Sequence, residues 1–343
     1  MRRKLLFSLL PVVVLLLASE VAVRVFRARQ GLSPFMVGSY RDQRIDLIRR
    51  GYPSAHDPLL GYVPRANVAS DRNRWGVLVS IDEQQLRRNG PGPRPTGGPG
   101  VLAVGDSFTF GDQVADAETW PARLEQRLQR PVWNGGVFGY SFAQTVLRAE
   151  QLLPRLAPAE LVVALIADDL RRCELSKRFT PVPWYDLVGD ELVLKNVPVP
   201  DSARDNALDR QWGRRLLGHS ALLDVLFWNA IPQWWVADQR EVRAHPPGTG
   251  VKIGDRLLER LAATCRQRQV RLLVVLQGWA VDADGRAFVE HAQAAGIEVV
   301  DLVTRFVALA QRDPAAAAFF DGHMTAAGND WVAAQIADVL RGK

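Results

Sequence analysis

The stretch from Leu161 to Ala167 is an unbroken apolar run, which a strand covered on both faces requires, and similar runs recur along the chain between helical periods. Val101 to Val104 reads as the first of these strands, and Arg271 to Leu276 and Glu298 to Leu302 as later ones. Pro131 to Trp133 is a short strand that ends at an Asn134 loop. Helices are expected over Ala117 to Leu128, with Leu124 and Leu128 one turn apart, and over Ala143 to Leu153, stopped by Pro154. Others are expected over Arg256 to Arg268, Ala287 to Ala295 and Ala326 to Leu340, the last with Val332, Ile336, Val339 and Leu340 on one face. Strands that alternate with helices argue for an α/β fold with a doubly wound parallel sheet, whose site lies outside the strand carboxyl ends. Ser107, the Asn134 loop and the loop after Ala167 all fall there.

The chain has 343 residues, 43 of them basic and 37 acidic, for a formal charge of +6. The basic residues are scattered among acids and form no concentrated stripe for a phosphate backbone, so no nucleic-acid partner is expected. Cys173 and Cys265 are too few for a disulfide scaffold and stand in no metal spacing; two free thiols and a single bridge both remain open. Neither a phosphate loop, a dinucleotide fingerprint nor a zinc spacing occurs, so no cofactor and no metal are expected.

At the N-terminus, Arg2-Arg3-Lys4 precedes Leu5 to Ala18, which is apolar apart from Ser8 and carries Pro11. A basic flank followed by an apolar stretch is the pattern of a secretory signal, and continuation to Val25 would make it long enough to span a bilayer. Ala18-Ser19-Glu20 and Glu20-Val21-Ala22 are poor cleavage sites, which favours a retained anchor over a cleaved signal peptide. The expected organisation is an anchor over 1–25, a stalk and peripheral segment rich in Pro, Gly and Arg over 26–98, and a catalytic domain over 99–343. The regular pattern lapses between about 171 and 250, an insertion that holds Trp184, Trp212, Trp228, Trp234 and Trp235, five of the ten tryptophans. Two readings stay open for it: a small aromatic core of its own, or a cap that shapes an acyl or sugar pocket.

The chemistry-bearing residues come in three blocks. Gly105-Asp106-Ser107-Phe108-Thr109-Phe110-Gly111 places a serine where a buried strand turns into a helix. A serine hydroxyl needs an adjacent base and donors for the developing oxyanion. The glycine pattern of the α/β-hydrolase elbow is absent, since Thr109 stands where its second glycine would be. Asn134-Gly135-Gly136-Val137-Phe138-Gly139 follows a second strand, and Asp321-Gly322-His323 precedes the terminal helix. Of the five histidines, only His323 lies in a loop after an acidic residue and just before that helix.

In their order and spacing these blocks resemble the SGNH, or GDSL, hydrolase family. Leu60-Gly61-Tyr62, Leu78 to Gly90 and Gly111-Asp112-Gln113-Val114 with Glu118-Thr119-Trp120-Pro121 extend the likeness to a bacterial subgroup with an N-terminal membrane helix. It implies a three-layer α/β/α, flavodoxin-like sheet with a membrane helix and a Trp-rich insertion, and a single-pass protein of the inner membrane with its catalytic domain on the periplasmic side. For the site it implies Ser107 as nucleophile, His323 as base and Asp321 as the acid that orients it, with the oxyanion held by the Ser107 and Gly139 N–H groups. The family's third donor is an asparagine, and Asp168 stands at that position. An ionised carboxylate cannot donate, so Asp168 is held protonated, or points away while another donor substitutes, or leaves a poor hydrolase. The second of these is the expectation.

The implied activity is that of a membrane-anchored, exported serine esterase that removes O-acyl groups, from small molecules or from cell-envelope glycans, through an acyl-serine. An O-acyltransferase acting on a polysaccharide and a catalytically impaired carbohydrate-binding or assembly protein are the alternatives. The oligomeric state is open.

Overall fold

In the computed structural model the described residues are 2–29, 53–73, 75–96, 99–178, 180–201, 212–235 and 241–342. They fall into two compact units, one drawn from segments 1–50 and 202–240 and the other from 51–201 and 241–343.

The larger unit is built on five parallel strands: β1 (Val101–Val104), β2 (Val132–Asn134), β3 (Glu160–Leu165), β4 (Arg271–Leu276) and β5 (Glu298–Asp301). Their order across the sheet is β2-β1-β3-β4-β5, the flavodoxin-like arrangement. Every residue of β1 and β3 is buried, which explains why both read as continuous apolar runs. Alternate residues serve opposite faces. Leu102, Val104, Leu161, Val163, Val274 and Leu276 pack with helices Phe142–Leu156, Thr249–Gln267 and Ala283–Ala294. Val101, Ala103, Val162, Ala164, Leu273 and Val275 pack with helices Trp120–Leu128 and Ala326–Leu340. The result is three layers, helix over sheet over helix.

Several element ends differ from expectation: the helices expected from Arg256 and Ala287 begin earlier, at Thr249 and Ala283, and two further differences bear on the site. The helix stopped by Pro154 on the sequence runs on to Leu156, because a proline in the last turn forfeits little and Ala157 N–H still closes on the Leu153 carbonyl. The apolar run that was expected to be strand as far as Ala167 leaves the sheet at Leu165, and Ala167 opens the helix Ala167–Arg172, where Asp169 accepts from the Ile166 N–H. Ahead of β1, strands Gly61–Pro64 and Leu78–Ile81 carry Leu60, Tyr62, Val63, Val79 and Ile81 into the main core, joined by Leu86. Cys173 and Cys265 are buried free thiols, and burial pushes them up to about 12 and about 11.

The smaller unit pairs the helix Arg2–Ala28 with Ala221–Ala230. Glu20 accepts hydrogen bonds from the Ala221 and Leu222 N–H groups and the Ser220 hydroxyl, and it pairs with Arg24 at 2.7 Å. Arg27 meets Asp224 at 3.3 Å. Among the described residues no helix is long and apolar enough to cross a membrane. Glu20, Arg24 and Arg27 break the apolar run, and their charges bind a second helix of the same unit. This overturns the expected single-pass anchor, and with it the placement at a bacterial inner membrane with a periplasmic catalytic domain. Within this unit Trp234 and Trp235 cluster with Phe227, and the Trp235 Nε1–H donates to Asp224 at 2.8 Å. Trp184 belongs to the larger unit, where it meets His245 edge-on.

Candidate active site

Ser107 opens the helix Ser107–Phe110 directly beyond β1. Asp106 caps that helix through a bond from the Phe108 N–H at 2.9 Å, which fixes the turn that carries the serine. Glycine at 105 is dictated by space, since a Cβ there would lie 2.4 Å from the Ala164 carbonyl oxygen and 2.2 Å from Thr109 Oγ1. The Gly111 N–H returns to the Ser107 carbonyl and closes the single turn. Behind it Arg87, fully buried, donates to the carbonyls of Phe110, Gly111 and Val114 and to Asp116, so the loop after the serine is held from beneath.

His323 comes from the other end of the chain. It lies in the short strand His323–Met324, after a turn in which Gly322 adopts a φ of +74°. Met324 is anchored in the second core face, and Thr325 caps the helix Ala326–Leu340. Buried Asn329 on that helix accepts from the Trp120 N–H and donates to the Met324 and Thr325 carbonyls, so the loop is fixed to the helix Trp120–Leu128. The His323 N–H donates to Gln113 Oε1 at 3.0 Å. The outcome is a distance of 2.9 Å between His323 Nε2 and Ser107 Oγ, two residues 216 positions apart.

Gly139, the third residue of interest, lies in the loop after β2 with a φ of +70°, a conformation open to glycine. Asn134 holds the start of this loop by donating to the Thr109 carbonyl and accepting from the Gly136 N–H. The Gly139 carbonyl takes a bond from Arg178 at 2.8 Å. The N–H groups of Ser107 and Gly139 have no hydrogen-bond partner among the described residues. Both belong to loops at the carboxyl ends of adjacent strands β1 and β2.

Two expected residues are placed elsewhere. Asp321 is exposed, and its carboxylate makes no hydrogen bond or ion pair with a described residue, although it stands opposite His323 in a tight hairpin. The acid that does approach the imidazole is Asp112, 1% exposed, with Oδ2 at 3.9 Å from His323 Nε2. Its nearness follows from the helix Ser107–Phe110, since the Asp112 N–H also reaches the Ser107 carbonyl. Asp168 is half-exposed and pairs with Arg172 at 2.7 Å, on the first turn of Ala167–Arg172.

Arg172, which the sequence did not single out, joins the turn before Ser107, the loop after β2 and the helix Ala167–Arg172. Its Nη1 donates to Asp106 Oδ2 at 3.2 Å, to the Tyr140 carbonyl at 3.0 Å and to Asp169 Oδ1 at 2.5 Å, while Nη2 takes Asp168. Asp106 in turn accepts from Ser107 Oγ at 3.3 Å. Burial raises the Asp169 carboxyl well above the usual range, and the charge of Asp106 adds to this against the pull of Arg172. Burial works against the Arg172 charge, but the three carboxylates outweigh it and its pKa is raised. The spacing Asp168, Asp169, Arg172 on one short helix was the available signal, one turn between acid and base.

An aromatic wall completes the surroundings. His323 contacts Trp75 edge-on at 5.8 Å and Phe108 at 5.2 Å between ring centres, and Phe108 lies nearly parallel to Trp279 at 6.1 Å.

No family model matches this chain, and neither does any curated protein. Among solved structures it is similar to the psychrotrophic esterase EstA from Pseudoalteromonas sp., at 10% identity and a TM-score of 0.42, over 71% of this chain and 98% of that one. It is likewise similar to the lipase/acylhydrolase from Enterococcus faecalis, at 12% identity and a TM-score of 0.41, over 71% and 96%. The acetylxylan esterase Axe2 from Geobacillus stearothermophilus is a third such structure, at 12% identity and a TM-score of 0.38, over 71% and 94%.

Proposed function

We propose that the chain is a serine esterase of the SGNH type that cleaves O-acyl esters through an acyl-serine. The observation that carries this reading is the 2.9 Å approach of His323 Nε2 to Ser107 Oγ, within the reach a general base requires. Ser107 Oγ attacks the acyl carbonyl carbon while Nε2 takes its proton. The carbonyl oxygen becomes an oxyanion at the Ser107 and Gly139 N–H groups, whose partners it supplies. Nε2–H then protonates the leaving oxygen, the carbon–oxygen bond breaks and the alcohol departs. Water repeats the sequence on the acyl-serine and releases the acid.

In this reading the buried charge of Asp112 favours the imidazolium that forms at each proton transfer. Asp321 has no part in it, and Asp168 is no oxyanion donor, since its carboxylate is occupied by Arg172. Two backbone donors then do the work of the family's three, which predicts a slower enzyme than one with the full set; each donor is worth roughly 3 to 4 kcal/mol of barrier.

Turnover of p-nitrophenyl acetate by the full chain, with free acetate assayed in the absence of any added acceptor, tests the reading. Wild type turns over and releases acetate, and Ser107→Ala lowers kcat by roughly 10⁴-fold or more. Equal rates for the two proteins would sink the proposal, and turnover only with a hydroxyl acceptor present would replace hydrolysis by acyl transfer.

A further inference from the structure

Two indoles at the site are left open to solvent, Trp75 at 40% and Trp279 at 50% exposure. They stand at the two ends of one series of ring contacts, Trp75 to His323, His323 to Phe108 and Phe108 to Trp279, with the reacting imidazole in its interior. The Trp279 end is built stiffly. Trp279 also meets Phe320 at 5.6 Å, and Phe320 packs edge-on against Phe306 at 4.7 Å, which in turn contacts Phe319 and Trp331. At the other end the Trp75 backbone is fixed by a bond from its N–H to Asn73 Oδ1, and Asn73 Nδ2 is tied to the Asp112 carbonyl.

We propose that Trp75 and Trp279 are two sugar-stacking subsites, at the two ends of the ring series that holds His323, and that the ester is carried on a pyranose glycan rather than on a lipid. This rests on the esterase reading above. An acyl chain calls for an enclosed apolar slot, whereas these indoles face water. Polar groups stand close to them along the chain. Asp321 is exposed and is the hairpin partner of His323, and Asp282 and Asp284, three and five positions after Trp279, are partly exposed and held by Arg171. A pyranose has the matching character, with an apolar face of C–H groups for an indole and an edge of hydroxyls for carboxylates and a guanidinium. Asp321, which takes no part in catalysis here, acquires a role as a hydroxyl acceptor.

The test separates binding from chemistry. Acetylated xylohexaose and acetylated chitohexaose are titrated into the full-length Ser107→Ala protein, followed by indole fluorescence. At least one quenches the emission saturably, and its Kd weakens about tenfold in Trp75→Ala and in Trp279→Ala but little in Trp279→Phe, which keeps an aromatic face. In the Ser107 background, the ratio of kcat/KM for the same acetylated hexasaccharide to kcat/KM for vinyl acetate falls about tenfold with either alanine. Absence of binding by both saccharides, binding that neither substitution disturbs, or a selective loss on p-nitrophenyl decanoate would each overturn the proposal, the last by placing an acyl chain on the indoles. Failure of wild type on vinyl acetate would strike the esterase reading alone, because the titration needs no catalysis.

Discussion

Ser107 and His323 meet because each sits in a turn with no freedom to place it elsewhere. The serine is held by the Asp106 cap and the crowded Gly105, the histidine by Met324 in the core and Gln113 at its backbone. Which acid assists is a sharper question, since Asp112 is buried 3.9 Å from the imidazole while Asp321 is exposed. At about 4 Å and an effective dielectric near 20, a carboxylate can favour an imidazolium by up to a few kcal/mol. Asp112→Asn therefore lowers kcat/KM by roughly ten- to a hundredfold on a small ester, while Asp321→Asn changes it by less than about threefold. The reverse ranking would restore Asp321 to the site. Asp168→Asn belongs at the same scale. With its carboxylate half-exposed and paired to Arg172, its removal changes ester hydrolysis by less than about threefold, and a many-fold rise would show that it obstructs the oxyanion. The pairing of Ser107 with His323 was legible because serine and histidine stood in recognisable blocks, one after a buried strand and one before the terminal helix. Asp112 was not, because nothing in a linear pattern says that a residue five positions after the serine is turned back towards a histidine 211 positions further on.

At the scale of elements, one guanidinium ties the turn before Ser107 to the β2 loop and the helix Ala167–Arg172. Arg172 is the cation for Asp106 and Asp169, both fully buried, and it also binds the Tyr140 carbonyl of the β2 loop. Removing one partner of a buried ion pair leaves an uncompensated charge, at a cost of about 3 to 5 kcal/mol. Arg172→Met accordingly lowers stability by that amount in urea denaturation, and Arg172→Lys by less, because a lysine keeps the charge and loses the fork. A loss under 1 kcal/mol for Arg172→Met would contradict the picture of a shared hub. The strands of the sheet were legible for a physical reason, that doubly covered strands are apolar along their length, as β1 is and as β3 is from Leu161 to Leu165. Within the expected stalk and peripheral segment over 26–98, the strands are only four or five residues long and the core residues Leu60, Val63, Val79 and Leu86 are separated by proline, glycine and charge, so their packing was hard to read.

For the whole molecule, the N-terminal helix carries the main correction. Hydropathy counted its leucines and valines, but Glu20 is held below its usual value in spite of burial, by bonds from Leu222, Ala221, Ser220 and Arg24, so the helix docks through charge. A tertiary partner of this kind, two hundred residues away, leaves no trace in a local window. Global stability also carries a pH signature from the larger unit. Burial pushes the Asp255 carboxyl from 3.8 up to about 6, with Glu259 adding to the shift and His291 and Arg256 opposing it. A raised acid holds its proton in the native state where the unfolded chain has lost it. Its contribution is full below pH 3.8 and is lost as pH rises through about 6. Asp255→Asn should thus gain on wild type between pH 4 and pH 7 in urea midpoints, and parallel profiles would refute the assignment.

The account depends on Ser107 being made nucleophilic by His323, and the rate of covalent capture measures that most directly. Full-length protein is treated with a fluorophosphonate, and the adduct is located and timed by intact and peptide mass spectrometry. The account predicts one adduct per chain, on Ser107, forming at least about a hundredfold more slowly in a folded His323→Ala variant. An adduct on another residue, or capture at the same rate without the imidazole, would contradict it.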